Sequence, residues 1–144
     1  MSVDITAKIG GNIFSVNIIE HLLCDYFDCT VNTEIIDTNK YKFTCFYEND
    51  DIILFFIDNF KLCYWDSVIL NKEYTYQQSL IFDISKFSDL NRNYETVLEF
   101  IIELQKTRNC EVLVASSIHD ELCYINTDSK LIWSNNYGSL KGLE

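Results

Sequence analysis

The sequence of 144 residues contains no proline and only four glycines, Gly10, Gly11, Gly138 and Gly142. A Pro-rich spacer, a Gly-rich linker and a low-complexity segment are therefore excluded, and residues 1–144 read as a single domain. Gly10-Gly11 is the one adjacent glycine pair, and neither GxxxxGK nor GxGxxG occurs, which excludes the loops that cradle nucleotide phosphates. No apolar run approaches the roughly 18 residues of a membrane-spanning helix. The longest, Ile52–Ile57, has the length of a strand. Basic residues are also scarce: 11 Lys and Arg stand against 22 Asp and Glu, for a net charge of −11. A surface of that sign repels phosphate, which argues against binding to a nucleic-acid backbone and equally against docking on anionic lipid.

What is present is a well-stocked core. Hydrophobic residues make up 48% of the chain and aromatics 15%, a globular composition with ample ring surface. The negative charge is spread evenly, at net −6 over residues 1–72 and −5 over 73–144, so it belongs to the folded surface and not to a tail. Such a field accelerates encounter with a basic partner. The six cysteines, at 24, 29, 45, 63, 110 and 123, form no CxxC pair. Most lie in apolar segments, and Met1-Ser2-Val3-Asp4 lacks the basic start and apolar run of a secretory leader. They are expected to be reduced, core-lining thiols of a cytoplasmic protein.

Val3–Ile9 alternates apolar and polar side chains as a half-buried strand does. Ser15 is a candidate N-cap for a helix to about Phe27, with Ile18, Ile19, Leu22, Leu23 and Tyr26 on one stripe. Strands follow at Cys29–Ile36 and Tyr41–Tyr47, then a turn at Glu48–Asp51, a central strand at Ile52–Ile57, and a second turn at Asp58-Asn59. Phe60–Leu70 is aromatic and strand-like, and Ser79–Ile84 reads as a further strand. A helix from Asn93 to Thr107 carries Val97, Leu98, Ile101, Ile102 and Leu104 inward and Glu95, Glu99 and Glu103 outward. A strand at Glu111–Ala115 and a hairpin of Asp120–Asn126 with Lys130–Trp133 complete the pattern. Short turns between neighbouring strands predict an α+β fold: a mainly antiparallel sheet of about six to eight strands, with two helices packed on one face.

Few constellations carry chemistry. His21, Cys24 and Asp25 share a helix, but a metal site needs three or four converging ligands. Asp50, Asp51, Asp58 and Asp66 lack the spacing of a calcium loop. No metal and no cofactor is expected. His119-Asp120, near Ser116, Ser117, Cys110 and Cys123, is the one arrangement that suggests a small hydrolase, though the segment more simply connects two strands. The stretch Glu48–Asp66 is different in kind. It combines Glu48, Asp50, Asp51, Asp58 and Asp66 with Phe55, Phe56, Phe60, Tyr64 and Trp65, and its net charge is −4. Aromatic anchors rimmed by charge are the make-up of a protein interface. These acids, with Asp120 and Glu121, are the candidate partner-contact residues.

The second half of the chain resembles bacterial immunity proteins of the contact-dependent and swarming-inhibition type. The likeness runs from Ser79 to Asn135 and follows the order of elements: Ser79–Ile84, the helix Tyr94–Leu104, Glu111–Ala115, Asp120–Ile125 and the closing Lys130-Leu131-Ile132-Trp133. The resemblance implies a cytosolic antidote that binds one cognate toxin domain, usually a nuclease, and blocks its active site or locks its shape without catalysis. Nucleases hold phosphate and are commonly basic, which suits an acidic partner. An acidic nucleic-acid mimic that inhibits a DNA-binding enzyme is the competing expectation.

Overall fold

The computed structural model describes residues 4–11, 14–28, 30–47, 50–83, 90–116 and 121–134; for 27, 45–47, 50–60 and 90–94 it describes the backbone. Strand β1 (Asp4–Gly10) leads into helix α1 (Val16–Phe27). Four strands follow: β2 (Thr30–Asp37), β3 (Lys40–Tyr47), β4 (Asp50–Ser67) and β5 (Lys72–Asp83). Helix α2 (Leu90–Arg108) then precedes β6 (Glu111–Ser116), β7 (Glu121–Ile125) and β8 (Leu131–Trp133). The eight strands form one sheet in the order β2-β3-β4-β5-β1-β6-β7-β8, and every neighbouring pair is antiparallel. The expected α+β architecture is what the chain adopts.

Two meanders, β2 to β5 and β6 to β8, flank the first strand. Because β5 and β6 both run antiparallel to β1, they are parallel to each other, and such a connection needs a crossover element. α2 is that element. The core lies between the sheet and both helices. Ile5, Ala7 and Ile9 of β1 line its centre, and Ile19 and Leu23 of α1 pack there with Val97, Leu98 and Ile101 of α2. Period-2 burial on the strand and a single stripe on each helix place all three elements on one interface. Burying those side chains is the main stabilising contribution, at roughly 25 cal/mol per Å² of apolar surface.

Polar side chains fix the joints. Ser15 caps α1 as expected, its Oγ accepting from the Ile18 amide at 3.3 Å. The chain has few glycines, so the left-handed positions just past the helices fall to Asp28 (φ 50°) and Asn109 (φ 51°). Gln78 is fully buried and bonds both the N–H and the C=O of Phe14 at 2.9 Å. Gln105 does the same work beneath α2: its amide donates to the carbonyls of Cys110 and Asn126, and its oxygen accepts from Ser129 Oγ.

One expectation is corrected. Asp58-Asn59 is no turn: β4 runs unbroken through it for 18 residues, with Asp58 opposite Ser79 and Asn59 opposite Gln78. The irregularity between Asn59 and Cys63 is a register shift, which bends the strand without reversing it. β5 accordingly begins at Lys72 and not at Ser79.

Candidate protein-binding surface

The bend in β4 folds the far half of the β4–β5 hairpin over the face of the sheet opposite the helices. There Trp65, Ile69, Leu70 and Tyr76 pack with Tyr74, Leu113 and Tyr124 in a second apolar cluster. Leu113 lies between Val112 and Val114, which face the helices, so alternation places it on this opposite face. Gly10 makes the close approach possible. A Cβ there would lie 2.9 Å from the carbonyl oxygen of Thr75 and 2.9 Å from the Tyr74 hydroxyl. That hydroxyl donates to Lys8 O at 2.7 Å and to Glu111 O at 3.1 Å, tying the hairpin to β1 and β6.

Two charged groups are enclosed by this arrangement. Lys8 is 9% exposed, with its ammonium 4.6 Å from the Trp65 ring centre and 5.1 Å from that of Tyr76. Burial lowers its pKa, and the facing ring π-systems supply the compensating attraction. Glu121 is 6% exposed. Its carboxylate accepts from the amides of Val68 and Ile69 at the hairpin tip, at 2.9 and 3.0 Å, and from Trp65 Nε1 at 3.3 Å. The expectation that Glu121 contacts a partner therefore gives way. Its oxygens hold the hairpin down and do not face solvent.

The opposite side of the same hairpin is open. Trp65 points inward, so Tyr64 and Asp66 point outward, with Leu62 and the turn residue Val68 beside them. Leu62 is 48% exposed, Tyr64 59% and Val68 83%. Asp66 pairs directly with Glu73 across the hairpin, and both are exposed. Like charges in that position destabilise a sheet. Among the expected contact acids, Asp66 is exposed on this face. Asp50, Asp51 and Asp58 take positions along β4, opposite Tyr47, Phe46 and Lys40 of β3, with side chains outside the described set. Glu48, Asp120 and His119 lie outside the described residues.

A second acidic surface lies on α2. Glu95, Glu99 and Glu103 are exposed at four-residue spacing along the outer side of α2. Beside them is an open groove of about 310 Å³, lined by Tyr26 from α1, Ile102 and Lys106 from α2, Ser129 from the β7–β8 connection and Leu131 from β8. Tyr26 donates to Glu99 at 3.1 Å, while Lys106 pairs with Glu103 at 3.5 Å. The i, i+4 glutamates are visible in the sequence; the groove exists only because α1 and the β7–β8 turn converge on them.

His21 forms a surface pair with Asp25 at 3.0 Å, their side chains 76% and 67% exposed. Cys24 and Cys63 are half-buried and Cys110 and Cys123 buried, all four as free thiols. Desolvation raises the thiol pKa of Cys110 to about 11 and of Cys123 to about 12, the reverse of what activates a nucleophile. Among the described residues, no three His, Cys, Asp or Glu side chains gather as a metal ion requires, and no helix is long and apolar enough to cross a membrane. In comparisons with known proteins, no family model, no curated protein and no solved structure matches the chain.

Proposed function

We propose that this chain is a cytosolic immunity protein that neutralises a cognate bacterial toxin domain, a basic nuclease, by occluding it without catalysis. The observation that carries the reading is the outer face of the β4–β5 hairpin. There, exposed Tyr64, Leu62 and Val68 sit beside the facing carboxylates of Asp66 and Glu73, in a molecule of net charge −11. Two carboxylates held opposite each other lower the stability of the free protein and become favourable when a cation lies between them. Apolar anchors beside them supply the dry centre of an interface. The order of elements from Ser79 to Trp133 adds the resemblance to immunity proteins. The test is to mix the purified chain with the toxin encoded immediately upstream of its gene. Expected is a stable complex at micromolar concentration and loss of toxin activity, with Tyr64→Ala and Asp66→Lys each weakening both. No complex at micromolar concentration overturns the reading.

A second reading, an acidic mimic of nucleic acid, draws on the row of Glu95, Glu99 and Glu103 on α2. One helical turn separates successive carboxylates, about 6 Å along the axis. Competition with DNA for several unrelated DNA-binding proteins would favour it, and strict one-partner specificity would remove it.

A further inference from the structure

Backbone pairing divides the β4–β5 hairpin in two. In its near half, β5 is bound between β4 and β1, and β4 between β3 and β5. The far half, Cys63–Ser67 with Lys72–Tyr76, pairs with no other strand among the described residues. Between the halves, residues 60–62 stand against Gln77 alone. A bulge of this kind bends a strand and interrupts its ladder.

Side chains do the seating of the far half on the sheet. The Tyr74 hydroxyl reaches Lys8 O and Glu111 O, Glu121 holds the tip, and the rings of Trp65 and Tyr76 cover the Lys8 ammonium. Tyr74, Leu113 and Tyr124 supply the buried apolar part. This seam differs in kind from the helix–sheet core, where Ile5, Ala7 and Ile9 meet Leu98 and Ile101 in a hydrophobic cluster. Seating the hairpin takes an ammonium and a carboxylate out of water, and that desolvation offsets much of what the apolar contacts contribute. Lifting it returns both charges to solvent, along with the amides of Val68 and Ile69, and water replaces their hydrogen bonds.

The tip holds its own shape. The Leu70 amide donates to Ser67 Oγ at 3.1 Å and the Asn71 amide to Val68 O at 3.3 Å, with Asn71 in the left-handed region at φ 52°. Tyr74 stacks on Tyr76 with ring centres 6.2 Å apart. These contacts lie within the hairpin, so they persist when the seam parts.

We propose that Cys63–Tyr76 is a hinged strap, which lifts from the sheet as one unit about residues 60–62 while the helix–sheet core stays closed. Opening uncovers Lys8, Leu113 and Tyr124. Tyr64, Asp66 and Val68 ride on the strap, so a partner meets them on a fixed support only while it is seated. That last consequence alone rests on the proposed function.

Native-state hydrogen exchange of the intact chain, across a series of sub-denaturing urea concentrations, tests the proposal. The reporters are the Val68 and Ile69 amides and the Trp65 indole N–H, all three bonded to Glu121. Expected is one opening constant common to the three. It exceeds that of the β1 amides roughly tenfold or more and depends less steeply on urea, because a smaller surface is exposed. Tyr74→Phe keeps the ring and removes the hydroxyl. It should raise the opening constants of the Val68 and Ile69 amides by a single factor, roughly three- to tenfold, although that hydroxyl bonds to neither. Three unlike opening constants overturn the proposal in favour of local fraying. Reporters that follow the β1 amides over the whole urea series overturn it in favour of a single cooperative unit. Val68 and Ile69 amides indifferent to Tyr74→Phe overturn it as well. No partner is present in these measurements, so their failure leaves the proposed function standing.

Discussion

Glu121 shows how much a single side chain contributes to presenting the hairpin. Two backbone amides and an indole N–H converge on one buried carboxylate. Glu121→Gln keeps the shape but removes the charge from those hydrogen bonds and forces one amide hydrogen toward other donors. A loss of roughly 1.5–3 kcal/mol is expected from chemical denaturation. Exchange of the Val68 and Ile69 amides should accelerate well beyond that of β1. Gly10→Ala acts on the same joint from the other side. The new methyl would meet the Thr75 carbonyl at 2.9 Å, and the expected cost is about 1–3 kcal/mol by the same measurement. The buried thiols give a pH signature. Their folded pKa values, about 11 for Cys110 and about 12 for Cys123, lie above the ordinary 9.0. Between those limits the unfolded chain has lost protons that the folded chain retains, so stability falls as pH rises above about 9. Lys8 works in the opposite sense: its lowered pKa means stability rises with pH until the free value of 10.5 is passed. Two thiols outweigh one ammonium, and the raised hydroxyl pKa values of Tyr74 and Tyr124 add to the alkaline loss. Urea midpoints should therefore decline from pH 8 to pH 10, and less steeply in Cys123→Ala.

Among the elements, those with one strong period were the readable ones. α1 and α2 announce themselves by apolar stripes, and β6 and β7 by unbroken apolar runs. The β4–β5 hairpin was misread at Asp58-Asn59 because an Asx pair has the chemistry of a turn. Pairing with Ser79 and Gln78 overrides that local preference, and the register shifts between Asn59 and Cys63. The start of β5 was missed because Lys72, Glu73, Thr75 and Gln77 lack the apolar run of a buried strand, although Tyr74 and Tyr76 mark its alternation. Glu121 was misplaced because a carboxylate is normally at the surface. Its enclosing partners lie more than fifty residues away in the chain. The outward position of Asp66, by contrast, follows from simple alternation with Trp65. On α2, replacing Glu95, Glu99 and Glu103 by Gln relieves two like-charge pairs, at roughly 0.2–0.5 kcal/mol each, and removes the Lys106–Glu103 ion pair while weakening the Tyr26–Glu99 hydrogen bond, so helix stability changes by less than about 1 kcal/mol. If the proposed function holds, the same triple substitution should slow association modestly and leave dissociation unchanged where the hairpin face is the contact, and abolish binding where the groove beside α2 is. Titration calorimetry distinguishes the two.

For the molecule as a whole, the governing quantity is the field of −11 charges on a body of 16.9 kDa. If the proposed immunity function holds, association with a basic toxin should be fast at low ionic strength and slow steeply as salt rises, while dissociation changes little. Stopped-flow measurements across a salt series read that slope. A charge-neutralised variant of the hairpin face, Asp66→Asn with Glu73→Gln, should be more stable alone yet slower to bind. The placement of β1 has a different consequence, for how the protein comes into being. Of the strands described, β1 comes earliest in the chain, yet its two sheet neighbours are β5 and β6, whose paired residues follow roughly seventy to eighty and more than a hundred positions later. The middle of the sheet must stay open until the last third of the chain has been made. Closure of those distant contacts sets the pace of folding, and a nascent chain interrupted before β6 has no finished core on which to rest.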